Sequence, residues 1–182
     1  MATQVMIDIE TMGTGNNAAI LSIGAVKFDL SLRDVSHDCI IDRFYAPVDL
    51  KSSQAHGGKV DADTVIWWLA RERDEARVEM LGEQRIDLAS VLEGFASWFG
   101  DDSLPVWGNG ATFDNVIVRS AYDSIGMACP WKFYDDRCHR TLKNLAPGLN
   151  PPRLGVHHNA LADAEYQVHQ LLMVVKHLGL IL

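Results

Sequence analysis

Two carboxylates, Asp8 and Glu10, close the apolar run Val5-Met6-Ile7-Asp8-Ile9-Glu10, just ahead of Thr11-Met12-Gly13-Thr14-Gly15. A short apolar, partly β-branched run stopped by glycine predicts a buried strand. Side chains alternate faces along a strand, so Asp8 and Glu10 point the same way and can share an ion. Two like charges on an otherwise apolar strand are costly to bury without a cation. Asp-x-Glu also arises by chance in acidic chains, so the pair alone is weak evidence, and its place on an apolar strand is what points to a cation site at the strand's end.

Two further acidic signals follow. In Val106-Trp107-Gly108-Asn109-Gly110-Ala111-Thr112-Phe113-Asp114-Asn115, a short strand over Leu104 to Trp107 runs into a glycine-rich turn. A helix carrying Val116, Val118, Ala121, Tyr122 and Ile125 comes next and stops at Gly126. Asp114 at its start either caps the helix or faces the cation site. In His157-His158-Asn159-Ala160-Leu161-Ala162-Asp163, the long periodic stretch Leu161, Val168, Leu171, Leu172, Val175 begins. His158 falls at the start of that helix and Asp163 in its first turns. A histidine there is a surface or capping residue, or, beside an activated water, a general base worth about 10²–10⁴ in rate.

Phosphodiester hydrolysis needs a nucleophile formed at neutral pH, neutralised phosphorus oxygens and a stabilised leaving oxygen. A pair of Mg²⁺ or Mn²⁺ ions about 3.5–4 Å apart supplies all three. Such hard cations take carboxylate oxygens, and three or four carboxylates are the protein share expected for two divalent ions.

Asp8-x-Glu10, Asp114 within Asn-Gly-Ala-Thr-Phe-Asp-Asn, and His158 with Asp163 after four intervening residues resemble the three motifs of the DnaQ-like 3'-to-5' exonucleases, DEDDh subgroup. The sister subgroup places Tyr four residues before the last Asp, where this chain has Asn159. Ile7 to Gly13 and Thr64-Val65-Ile66-Trp67-Trp68 also resemble the small phage and bacterial branch related to ribonuclease T. The resemblance implies that Asp8, Glu10 and Asp163 hold the ion that activates water. It implies that Asp8 bridges to a second ion, that Asp114 supports that ion, and that His158 takes the water's proton. It further implies removal of nucleotides one at a time from a 3' end, releasing 5'-monophosphates, with Thr11, Met12, Asn109, Phe113 and Trp68 touching the substrate. Single-stranded or 3'-overhanging ends of DNA or RNA are the expected substrate, the polymer being left open because no motif reads or excludes a 2'-hydroxyl. The ribonuclease T-like branch also suggests a homodimer.

With 182 residues the expectation is one exonuclease domain over 1–182. No run of about 18 apolar residues and no basic stretch before an apolar one is present, so neither a membrane span nor a signal peptide is expected. Cys39, Cys129 and Cys138 have no CxxC spacing and read as reduced thiols. Together these point to the cytoplasm, of a bacterium or a phage-infected host by the resemblance. The net charge of −8 argues against a broadly basic nucleic-acid surface. A local rim suffices for a few terminal nucleotides, with Arg71, Arg73 and Arg77, or Lys132, Arg137, Arg140 and Lys143, as candidates. Each of them also reads as a solvated face.

Strands are expected at Ala19 to Phe28 and Cys39 to Tyr45, joined as antiparallel hairpins to the first, and a loop at Lys51 to Lys59. Asp61 or Asp63 caps a helix bearing Val65, Ile66, Trp67 and Trp68; Leu88, Val91, Leu92, Phe95 and Trp98 mark another. Trp131 to Tyr134 reads as an edge strand, Arg137 to Leu145 as a short helix, and the last helix runs to about Gly179. The fold class expected is α/β: a mixed sheet, antiparallel at first and then parallel, flanked by helices, as in the ribonuclease H-like fold of the resemblance. Trp67 and Trp68 point about 100° apart on a helix, so one is core and the other is free for a base or a partner. Two other readings compete: a non-catalytic nucleic-acid-binding or scaffold protein of the same fold, and a proofreading subunit of a polymerase.

Overall fold

β1 (Thr3–Thr11) is the middle strand of a five-stranded sheet in a computed structural model that describes residues 3–31, 39–70, 74–82, 84–100, 103–153 and 155–180. β2 (Ile20–Asp29) pairs antiparallel with it, and β3 (Ile40–Pro47) antiparallel with β2. On the other side, β4 (Val106–Gly108) and β5 (Asp136–Cys138) run parallel. The order β3-β2-β1-β4-β5 is the expected mixed sheet of a ribonuclease H-like fold. Seven helices are described: α1 (Leu50–Ala55), α2 (Ala62–Leu69), α3 (Asp74–Gly82), α4 (Leu88–Phe99), α5 (Asp114–Ser124), α6 (His139–Lys143) and α7 (Ala160–Leu178).

The pleat of β1 sorts its side chains between two layers. Val5, Ile7 and Ile9 pack with Leu88, Val91, Leu92 and Phe95 of α4 and with Ile117, Val118 and Tyr122 of α5. Met6 packs on the opposite face with Val26, Trp107 and the α7 residues Ala164, Val168, Leu171 and Leu172. Asp8 and Glu10 continue the Met6 face, so both carboxylates point toward α7. The helix sits close because β2 carries Gly24 opposite Asp8. A Cβ at Gly24 would lie 2.2 Å from the carbonyl carbon of Ala160, at the first turn of α7. Asn159 caps that turn by accepting from the N–H groups of Leu161 and Ala162, and Gly179, left-handed at φ 64°, ends the helix.

Several expectations change. The loop at Lys51 to Lys59 begins as helix α1, capped by Asp49, whose carboxylate accepts from Ser52 N at 2.8 Å. Its polar composition hides it, because the buried Ser53 and the adjacent Ser52 use their hydroxyls on distant backbone, Ile20 N and Leu88 N. The edge strand lies at Asp136–Cys138 and not at Trp131 to Tyr134: Phe133–Asp135 is a 3-10 turn, and Trp131 folds into the core with its indole N–H on Asp136 Oδ1. The strand expected over Leu104 to Trp107 forms at Val106–Gly108 as β4, and α3 is a helix that no expectation covers. Asp61 stands at the N-cap position of α2, but its carboxylate accepts from Thr14 N instead of capping the helix. The three cysteines are free thiols. Among the described residues, no helix is long and apolar enough to cross a membrane.

Candidate active site

The sheet changes direction sense beside β1, which has antiparallel β2 on one side and parallel β4 on the other. Outside the carboxyl ends of β1 and β4 a crevice forms, as α/β sheets form one at such a point. One oxygen from each of Asp8, Glu10 and Asp163 lies within 4.8 Å of the others there. Asp163, in the first turn of α7, accepts from His158 N at 3.2 Å through Oδ2 and pairs with the Arg153 guanidinium through Oδ1. One turn later, Gln167 donates from Nε2 to Asp8 Oδ1 at 2.7 Å.

Asp114 is the first residue of α5, and the N-cap position belongs to Phe113. Backbone groups of Asp114 itself, Ile9 and Asn109 favour the charged form of the Asp114 carboxyl, which stands between the end of β1 and the turn after β4. Gly108 makes room for this, since a Cβ there would stand 2.3 Å from Asn115 Oδ1 and 3.1 Å from Asp114 Cβ.

Burial pushes the Asp8 and Glu10 carboxyls well above the usual carboxylate range, and the neighbouring acidic charges push them further. Gln167 and Arg153 act in the opposite sense on Asp8. Burial raises Asp114 to about 7, against the backbone donors and the Arg140 charge that hold it down. A set of buried carboxylates that repel one another, all offering oxygen, fits hard divalent cations such as Mg²⁺ or Mn²⁺. Asp8, Glu10 and Asp163 can hold an ion, and Asp114 lines the same hollow without belonging to that cluster.

His158 is held at φ 67°, a left-handed conformation uncommon outside glycine. Its ring stacks on His157 at 3.9 Å and meets Trp67 edge-on at 4.9 Å. One nitrogen of each histidine and an Asp163 oxygen lie within 4.8 Å of one another. The imidazole thus stands at the border of the carboxylate cluster, walled by an aromatic side chain.

Two adjoining hollows meet at Glu10 and Trp67. The first, of about 480 Å³, holds Asp8, Asp114, Asp163, His158, Asn109 and the cations Arg140, Lys143 and Arg153. The second, of about 400 Å³ and more apolar, is walled by Thr11, Thr64, Trp67, Trp68 and Phe113. Of the residues expected to touch substrate, Thr11, Phe113 and Trp68 thus face the second hollow, and Asn109 and Phe113 the first. Met12 packs against Leu21, Trp68 and Ala76. Trp68 is buried, with its indole N–H on Thr11 O at 2.9 Å, and it is Trp67 that presents its ring to both hollows.

Of the cationic rim, Arg140 and Lys143 reach the cleft. Arg77 is spent on the carbonyls of Trp68 and Ala70 and on Asp74, Arg137 on those of Tyr134 and Asp136. Arg71 and Arg73 lie outside the described residues. No motif in the sequence marks Gln167 or Arg153. The helical step from Asp163 to Gln167 was the one available signal for the former.

Known structures share the fold that carries these residues. A structure of exonuclease I superposes with a TM-score of 0.61 at 18% identity, over 97% of this chain and 41% of that one. Zinc-bound E. coli exonuclease I with single-stranded DNA gives 0.59 at 17% identity, over 97% and 41%. E. coli exonuclease I with a dA16 oligonucleotide gives 0.58 at 16% identity, over 97% and 41%. At these identities the likeness is one of fold, and this chain spans about two fifths of those proteins. No curated protein matches the chain by sequence. The family described as the 3'-5' exoribonuclease Rv2179c-like domain matches residues 3–175, nearly the whole span that carries the sheet, the carboxylates and α7. The chain belongs to that family, the 3'-5' exoribonuclease Rv2179c-like domain.

Proposed function

We propose that the protein removes nucleotides one at a time from the 3' end of single-stranded or 3'-overhanging RNA, releasing nucleoside 5'-monophosphates. The observation that carries this is the convergence of Asp8, Glu10 and Asp163 within 4.8 Å, beside an imidazole and an aromatic-walled hollow. The description of its family as exoribonucleases favours RNA over DNA. DNA is the second polymer to test, since two of the exonuclease I structures named above are complexes with DNA.

In this reading Asp8, Glu10 and Asp163 would hold one divalent cation, and Asp114 would help to hold a second. When bound, the pair neutralises the phosphate oxygens and favours ionised water and leaving oxygen. The terminal base enters the hollow between Trp67 and Phe113, where aromatic stacking tolerates any base. Water attacks phosphorus, the P–O3' bond breaks and its electron pair goes to O3'. His158 accepts the proton of the attacking water, its ring kept in place by Trp67 and His157. Arg140 and Lys143 offset the phosphate charge along the cleft, so an acidic chain needs no broad basic face. Pairing of two copies belongs to the same proposal, supported by the exposed Ile66 and Leu69 of α2 and Val78 of α3. Light scattering of the purified protein tests it.

The experiment is a time course on matched 5'-labelled single-stranded RNA and DNA with Mg²⁺, Mn²⁺ or EDTA. A metal-dependent ladder shortening from the 3' end, faster on RNA, is expected. Degradation that survives Asp8→Ala in a contaminant-free preparation would overturn the site.

A further inference from the structure

Arg153 sits in the Asn150-Pro151-Pro152-Arg153 segment ahead of α7 and makes two contacts with that helix. Its guanidinium pairs with Asp163 Oδ1, and its central carbon stands 4.4 Å from the ring centroid of Tyr166. Tyr166 is three residues beyond Asp163, so carboxylate and ring are neighbouring seats on one helix face. The Arg153 side chain is 32% exposed, against 11% for Asp163, and it lines the hollow that holds the carboxylates. Its partner in that ion pair is one of the three carboxylates that converge in the cleft.

An oxygen of Asp163 given to a divalent cation is withdrawn from the guanidinium, and the two positive charges repel. The contact with Tyr166 does not depend on the carboxylate, because a ring face attracts a cation by itself. A guanidinium released from Asp163 therefore keeps a seat in the same hollow, with its fork of donors free for two oxygens of a phosphate.

We propose that Arg153 is a substrate-binding residue that exchanges Asp163 for a phosphate of the terminal nucleotide when divalent ions enter the site. In the free protein the arginine competes with the metal. In the complex it holds the phosphate that the metal also neutralises, so metal and nucleotide favour each other's binding. This inference rests on the exonuclease reading and adds to it the residue that grips the phosphate.

The test uses Mn²⁺ alone and then a nucleoside 5'-monophosphate, AMP, which has no phosphodiester to cleave. Calorimetry compares the wild type with Arg153→Gln and Arg153→Lys. Arg153→Gln should bind Mn²⁺ about fivefold more tightly than wild type, the gain from removing a partly exposed ion pair. With Mn²⁺ present, it should bind AMP about tenfold more weakly, the loss of a charge-assisted contact. Arg153→Lys keeps the competing charge without the fork, so its Mn²⁺ affinity should stay near wild type while AMP binding falls. Arg153 serving only to anchor its segment to α7 would leave Arg153→Gln with weaker or unchanged Mn²⁺ binding, and that result overturns the exchange. A wild type that binds no Mn²⁺ would overturn the metal site as well, which separates the two failures.

Discussion

Gln167 donates its side-chain amide to Asp8 Oδ1 at 2.7 Å, joining α7 to β1 across 159 positions of the chain. The bond orients the carboxylate and leaves its other oxygen to the cleft. Gln167→Leu removes the donor without changing the apolar packing around α7. Groups that orient a metal ligand are worth about 10–100-fold in metal affinity or activity, and a loss of that size is expected in Mn²⁺ titration and in the exonuclease rate. An unchanged Mn²⁺ affinity would show that Asp8 is held by its strand alone.

Gly24 governs how near α7 approaches. A methyl group there meets the backbone of Ala160 at 2.2 Å, and backbone cannot swing aside as a side-chain tip can. Gly24→Ala should cost about 1–3 kcal/mol in urea unfolding, as overpacking does. Because the shift moves Asp163 away from Asp8, the stabilisation by added Mn²⁺ should shrink in the same variant.

The metal-free protein should lose stability as pH rises. The folded-state carboxyls of Asp8, Glu10 and Asp114 lie above their unfolded values, chiefly through burial. A raised carboxyl stabilises the fold fully below its unfolded value, and for Asp114 that contribution disappears as pH passes from 3.8 through about 7. Thermal melts in EDTA should therefore give a lower Tm at pH 8 than at pH 5.5, other groups being equal, and Mg²⁺ or Mn²⁺ should restore more at the higher pH. A flat or opposite trend, with no metal effect, would contradict the buried-cluster electrostatics.

His158→Asn separates chemistry from fold. Asparagine accepts the left-handed backbone at φ 67° better than most residues but is no general base at neutral pH. The rate should fall about 10²–10⁴-fold with little change in Tm. A comparable drop in both would make His158 a structural residue.

Asp136 offers a control that does not line the cleft. Its carboxylate accepts from Asn115, Arg119 and Trp131, linking β5 to α5 and to the core tryptophan. Asp136→Ala takes the carboxylate from Arg119 and Trp131, while Asn115 keeps the Val106 carbonyl, and should cost about 3 kcal/mol in urea unfolding. Because Asp136 touches none of the cluster carboxylates, Mn²⁺ affinity of the remaining folded protein should be retained.

Local patterning sufficed for β1 and its two carboxylates, for the hairpin order of the first strands and for the starts of α5 and α7. Alternation, periodicity and capping act between residues a few positions apart, and all three are written in the chain. The same local logic left α1 as a loop, since its serines serve Ile20 and Leu88 far along the chain. It also placed the last strand on Trp131 to Tyr134, because an aromatic run reads as β until Asp136 draws Trp131 into the core.

The sequence by itself determined which residue types converge: carboxylates on one strand face, an acid at each of two helix starts and an imidazole ahead of the last. Tertiary structure alone decided the partners. Gly24 admits α7, Gln167 meets Asp8, Arg153 meets Asp163, and Trp67 borders both hollows where Trp68 borders one. Those contacts arise only when the sheet brings distant segments within a few ångströms, and no periodicity in a single strand or helix carries that distance.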